Sequence, residues 1–173
     1  MDLLVGRWYP RLYGFAYRML HERETAEDVA QQTLVLAYRH AGRFRPGARV
    51  STWLLAIAAN LCRTEVGRRA RRPIVSCAAH AEPEAPGSVE AAALRRLEGE
   101  RVYDAMDALS AEHRLVVILF YYEGLSHAEI ARVCGCAVGT AKSRLHYALA
   151  RLRRLLCSVE TETDPTGGEP ACR

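Results

Sequence analysis

The tightest constraint on this chain lies between Ser126 and Leu156. Ser126 stands three residues before Glu129, the spacing of a capping box in which hydroxyl and carboxylate satisfy the first free N–H groups of a helix. Ile130, Ala131 and Val133 supply an inward face, Gly135 makes a tight turn between Cys134 and Cys136, and a longer helix is predicted to run to about Leu156. Two helices joined so closely need a small residue where they touch and no Cβ in the turn, which Ala and Gly provide. The spacing therefore predicts a helix-turn-helix. In its second helix Ala141, Leu145, Ala148, Leu149 and Leu152 share one arc, while Ser143, His146, Tyr147, Ala150, Arg153 and Arg154 point the other way with Lys142 at the edge. Such a face has the reach and the donors to enter a major groove and hold the flanking phosphates. Just upstream, Val116 to Tyr122 reads as a buried helix stopped at Glu123-Gly124.

The N-terminal part is helical too. Ala26, Val29, Ala30, Thr33, Leu34 and Ala37 form one stripe, with Thr25 and Glu27-Asp28 as start signals and Asp28, Gln31, Gln32, Val35 and Arg39 opposite. A turn over 42–49 containing Pro46-Gly47 ends that helix. The next begins near Ser51, is expected to bury Trp53, Leu54, Ile57 and Leu61, and runs through Arg63, Arg68, Arg69, Arg71 and Arg72 to a stop at Pro73. No alternating β-branched run bounded by hairpin turns occurs, so the fold class expected is all-α, two small helical domains joined by a flexible linker. The expected divisions are 1–72, an acidic Ala/Pro-rich linker at 73–100, 101–157, and an acidic, disordered tail at 158–173.

Charge follows the same divisions. The chain has 173 residues and a formal charge of +4, but residues 1–72 carry +7, 73–113 carry −5, 114–157 carry +5 and 158–173 carry −3. All basic side chains but Lys142 are Arg, the planar fork that suits carboxylate and phosphate. Two basic blocks separated by an acidic one suggest two surfaces for one polyanion. Eight of the thirteen aromatics fall within the first 53 residues; Trp8, Tyr9, Tyr13, Phe15 and Tyr17 read better as packing residues than as a base-stacking platform. The longest apolar stretch, Leu115 to Tyr122, is far below the roughly 20 residues that span a bilayer, and no export signal is evident, so a cytoplasmic location without membrane insertion is expected.

The six cysteines are scattered, and neither Cys134-Gly135-Cys136 nor Cys77 with His80 completes a zinc-ligand set. No nucleophile elbow, phosphate-binding Gly loop or zinc-protease His pair is present; no cofactor, metal or catalytic residue is expected. Two functions stay open on the residues alone. One is a stand-alone helix-turn-helix regulator using residues 101–157; the other is a nucleic-acid-processing enzyme.

Two runs carry a family resemblance. The first is Ala26-Glu27-Asp28-Val29-Ala30-Gln31-Gln32-Thr33-Leu34-Val35-Leu36-Ala37-Tyr38, followed by Trp53-Leu54 and Ile57-Ala58-Ala59-Asn60. The second is Leu109-Ser110-Ala111-Glu112-His113-Arg114, then Tyr122-Glu123-Gly124-Leu125-Ser126, Glu129-Ile130-Ala131 and Gly139-Thr140-Ala141-Lys142-Ser143-Arg144-Leu145. In this order they resemble the sigma-70 family of bacterial RNA polymerase initiation factors, in its extracytoplasmic-function form. Gln32 stands where Glu is usual, Thr64 where an acid is usual, and Ala137 replaces a capping Ser or Pro.

The resemblance implies region 2 in the first block and region 4 in the second. It implies core RNA polymerase as partner, through the β′ clamp helices and β flap, with Asp28, Gln31, Gln32 and Val35 at the clamp. It implies promoter DNA as the other partner: Arg43, Phe44, Arg45, Arg49, Asn60 and Arg63 at the −10 element, where an unstacked base needs a pocket. At the −35 duplex it implies Lys142, Ser143, His146 and Tyr147 toward bases and Thr140, Arg144 and Arg153 toward phosphates. Family habit further implies an anti-sigma factor that holds the protein inactive.

Overall fold

A computed structural model describes residues 2–44, 47, 49–71 and 101–160. Helix α1 spans Asp2–Leu20, α2 Arg23–Arg39 and α3 Val50–Arg69, with a 3-10 turn at Ala41–Arg43 between the last two. After the gap come α4 at 101–107, α5 Ala111–Val117, α6 His127–Cys134 and α7 Val138–Glu160. No strand occurs among the described residues.

The apolar stripe of α2 is buried as its period requires: Ala26, Val29, Ala30, Thr33, Leu34 and Ala37 are all inside. Thr33 is tolerated there because its hydroxyl donates to the Val29 carbonyl at 2.7 Å. Helix α1 lies across α2 and α3, burying Leu12, Phe15, Ala16 and Met19, while Trp8, Tyr9, Tyr13 and Tyr17 pack half-buried around that core. The N-terminal aromatics are thus packing residues. In the second block α5 and α6 hold α7 through Leu115, Val116, Ile130, Ala141, Leu145 and Ala148. The two blocks do not stand apart. Helix α3 packs on α5 and α6, α1 packs on α5 and the turn after it, and the buried side chains form one continuous cluster.

Several local expectations are corrected. Helix α2 starts at Arg23, with Glu22 at its N-cap; Thr25 lies inside, its hydroxyl donating to the Glu22 carboxylate at 2.6 Å. Helix α3 buries Leu54, Leu55, Ala58, Ala59 and Cys62, whereas Trp53, Ile57 and Leu61 are only half-buried. Its inward arc is rotated because α3 faces two neighbours, α1 with α2 on one side and α6 on the other. It also ends at Arg69, before Arg71.

The stretch read as a helix from Val116 is α5 from Ala111, capped by Ser110, and it widens into a π turn at Ile118–Tyr122 before Gly124 at φ +64°. Tyr121 and Tyr122 are exposed there, not buried. Helix α7 continues past Leu156 to Glu160, so the stretch expected as tail from 158 begins helical. The linker at 73–100 lies outside the described residues, as do Cys77, His80 and Cys172.

The corner between α1 and α2 needs partners from elsewhere. The terminal carbonyls of α1 have no intrahelical donor, and two arginines supply them: Arg69 donates to the Leu20 carbonyl at 2.8 Å and Arg114 to the Met19 carbonyl at 2.9 Å. Arg114 also donates to the carbonyls of Met106 and Asp107, each at 3.0 Å, and pairs with the Asp107 carboxylate at 2.8 Å. Burial pushes its guanidinium down from the ordinary range, with Asp107 opposing.

Candidate nucleic-acid interface

The turn between α6 and α7 sets the geometry of the C-terminal face. Ser126 and Glu129 form both bonds of the capping box: the Glu129 backbone N–H donates to the Ser126 hydroxyl, and the Ser126 N–H donates to the Glu129 carboxylate at 3.0 Å. Gly135 ends α6 at φ +65°, a left-handed conformation that costs a residue with Cβ about 1 kcal/mol or more. With α6 fixed and Ala141, Leu145 and Ala148 buried beneath, α7 turns Lys142, Ser143, His146, Tyr147 and Arg153 to solvent. Tyr147 is 64% exposed, its ring set edge-on to His146 at 5.8 Å. Ser143 donates to the Thr140 carbonyl at 3.1 Å, which leaves the hydroxyl's acceptor side free.

Of the residues expected at the N-terminal DNA face, Arg45 lies outside the described residues; Arg43 closes the 3-10 turn, its side chain undescribed. Phe44 packs on Trp53 at 5.2 Å between ring centroids, fixing the turn against α3. Asn60 is exposed and lines a cleft of about 270 Å³ between α2 and α3 with Leu36, His40, Ile57, Leu61 and Thr64. On the outer side of α2, Asp28, Gln31, Gln32 and Val35 are all exposed; an apolar Val35 at 45% exposure among short polar groups is the composition of an interface centre.

Three basic residues of the two sets expected to face DNA meet carboxylates of the second block. Arg63 donates from Nε to Glu112 Oε1 at 2.7 Å, and Arg144 donates to Glu112 Oε2 at 2.5 Å. Arg49 pairs with Glu129 at 3.2 Å. Burial alone would raise the Glu112 carboxyl, but Arg63 and Arg144 together hold it below the usual carboxylate range. Glu129 is held low chiefly by Ser126, through its hydroxyl and then its backbone N–H. Sequence reasoning missed both carboxylates as counterions. Glu112 sits 49 residues from Arg63 and 32 from Arg144, distances at which no helical periodicity signals a contact.

Cys62, Cys134 and Cys136 are free thiols, and no group of metal-ligating side chains occurs among the described residues. Burial pushes the Cys62 thiol up to about 12 and Cys134 to about 11, far from a reactive thiolate. Among the described residues no helix is long and apolar enough to cross a membrane.

A compact region 2-like bundle followed by a helix-turn-helix with an open basic face defines the class, a helical promoter-recognition protein. Residues 4–72 match Sigma-70 region 2 and residues 99–152 match Sigma-70, region 4. RNA polymerase sigma factor CarQ of Myxococcus xanthus is 35% identical over 163 residues, covering 92% of this chain and 90% of that protein. ECF RNA polymerase sigma factor SigL of Mycobacterium tuberculosis is 40% identical over 149 residues, covering 84% and 82%. Among solved structures, the sigma factor RpoE of Bartonella quintana in complex with the anti-sigma factor NepR superposes with TM-score 0.72 at 30% identity, over 90% of this chain and 95% of that one. CnrH in complex with the cytosolic domain of CnrY gives TM-score 0.67 at 27% identity, over 91% and 87%. The chain belongs to the sigma-70 family, as an extracytoplasmic-function RNA polymerase sigma factor.

Proposed function

We propose that this sigma factor docks on the β′ clamp helices of core RNA polymerase through Asp28, Gln31, Gln32 and Val35 and directs the enzyme to a two-part promoter. Residues 101–157 act against the β flap and the −35 duplex, with Lys142, Ser143, His146 and Tyr147 reading base edges and Thr140, Arg144 and Arg153 on phosphates. Residues 1–72 hold the melted −10 strand through Arg43, Phe44, Arg45, Arg49, Asn60 and Arg63, and the cleft beside Asn60 supports capture of an unstacked base there. The chain works as an address and strand-opening factor, with bond-making left to the polymerase.

The observation that carries this reading is the open face of α7, basic and aromatic, held out by the capping box and Gly135. Control by an anti-sigma factor is part of the proposal, supported by the solved relative RpoE, which is in complex with the anti-sigma factor NepR. The test is in vitro transcription with core polymerase on a promoter library. Transcripts that require both the chain and a common two-part sequence support the reading. A chain that footprints a palindromic duplex without polymerase, and yields no transcripts with it, is a stand-alone regulator instead.

A further inference from the structure

The contacts between the blocks use the arginines that DNA would need. Glu112, in the first turn of α5, lies between Arg63 of α3 and Arg144 of α7, one basic residue from each DNA-facing set. Arg63 spends its fork there: Nε and one terminal nitrogen donate to the two Glu112 oxygens at 2.7 and 3.3 Å, that nitrogen also reaches the Cys134 carbonyl at 3.3 Å, and the other terminal nitrogen reaches Asn60 Oδ1 at 3.3 Å. A guanidinium that grips a carboxylate with two parallel donors has no second fork for a phosphate. The side chains of Arg63 and Arg144 are accordingly only 23% and 30% exposed. Arg49, at the N-cap of α3, makes a single, largely exposed contact with Glu129 of α6 at 3.2 Å, and Arg11 of α1 meets Glu123 beyond the π turn at 2.6 Å. The pairs of Arg11, Arg49 and Arg63 join an arginine of the first block to a carboxylate of the second, whereas Arg144 and Glu112 both belong to the second block. The base-reading positions Lys142, Ser143, His146 and Tyr147 stay outside the contact.

We propose that Glu112 is an internal stand-in for DNA phosphate, an ionic latch that closes the two blocks on each other and masks Arg63 and Arg144 until polymerase or promoter DNA displaces it. This rests on the reading of Arg63 and Arg144 as DNA-facing residues and adds the way their access is regulated within the chain. Competition is direct, because carboxylate and phosphate address the same donors. The latch is also sensitive to salt, since Glu112 is 38% exposed and its pairs are open to screening. Opening separates Arg63 from Glu112, and loss of the Glu112 charge frees Arg144 as well, so affinity for any duplex rises when the latch is removed.

The experiment compares the full-length chain with Glu112→Gln, which keeps the shape and removes the charge. The readouts are binding to a mixed-sequence DNA duplex without polymerase, radius of gyration from small-angle scattering at low and high salt, and thermal melting by circular dichroism. A latch predicts that Glu112→Gln binds the duplex roughly fivefold tighter or more, that its radius of gyration exceeds that of wild type at low salt, and that wild type expands toward the variant as salt rises. A residue that merely braces the fold would lower the melting temperature and weaken DNA binding. Equal or weaker binding by the variant with an unchanged radius overturns the latch, and so does a wild-type radius independent of salt. Core-dependent transcription by wild type is measured alongside: its absence removes the promoter reading, whereas its presence with no change on Glu112→Gln removes only the latch.

Discussion

Arg114 shows how much one side chain can hold. It occupies three backbone carbonyls and one carboxylate with a side chain only 12% exposed. Its removal strands carbonyls at the end of α1 and beside α4, each costing about 1–3 kcal/mol. Arg114→Ala is expected to destabilise the chain by about 3 kcal/mol or more in urea unfolding, and Arg114→Lys to recover little, because an ammonium cannot span the same fan of acceptors. Arg153 is a contrasting case: it is exposed on α7, and the proposed role is contact with a DNA phosphate, not support of the fold. Arg153→Ala should leave the melting temperature unchanged, weaken holoenzyme binding evenly across promoter variants, and reduce the salt slope by about one. Ser143 or His146 substitutions should instead shift the preferred −35 sequence, by roughly 1–3 kcal/mol for a good base contact. A selection from randomised −35 sequences separates the two behaviours.

Helices α6 and α7 were legible in the sequence because their signals are local. Ser126, Glu129 and Gly135 act within a few residues of themselves, and each does what its chemistry dictates. Loss of the cap by Ser126→Ala should cost about 1 kcal/mol, and Gly135→Ala about the same through backbone strain alone, since nothing lies within 4 Å of the added Cβ. Chemical denaturation of each variant measures both. The stripe of α2 was equally legible, because one side of that helix is buried and the other is bare. Helix α3 was not: it is covered on two sides, which broadens the buried arc from Leu54-Leu55 to Ala58-Ala59 and leaves Trp53 at the margin. The π turn at Ile118–Tyr122 likewise left no trace in an apolar run that suits an ordinary helix. The site followed the same rule. The open face of α7 could be read from its period, whereas the counterions of Arg49, Arg63 and Arg144 arise from contacts between distant segments.

At the scale of the whole molecule, charge and stability are linked through the carboxylates. Glu112, Glu129 and Glu65 all have carboxyls below the ordinary 4.5, the first against burial by Arg63 and Arg144, the second through Ser126, the third through Arg68. A depressed folded-state value means that the stabilisation is complete above about pH 4.5, where the unfolded chain is also ionised, and fades as pH falls through the lower folded values. Urea midpoints should therefore hold steady from neutrality to about pH 5 and decline below the carboxylate range. Glu112→Gln should lose part of that acid dependence.

The bond from Arg114 to the Met19 carbonyl also bears on how the protein is born. Its two partners lie 95 residues apart, so the last turn of α1 leaves the ribosome well before the guanidinium that completes it. At bacterial and eukaryotic elongation speeds of about 5–20 residues per second, that interval is roughly 5–20 s. Throughout it the nascent first block presents the uncovered sides of α1 and α3 to its surroundings, and the second block, on emerging, serves as the cover under which the first is finished.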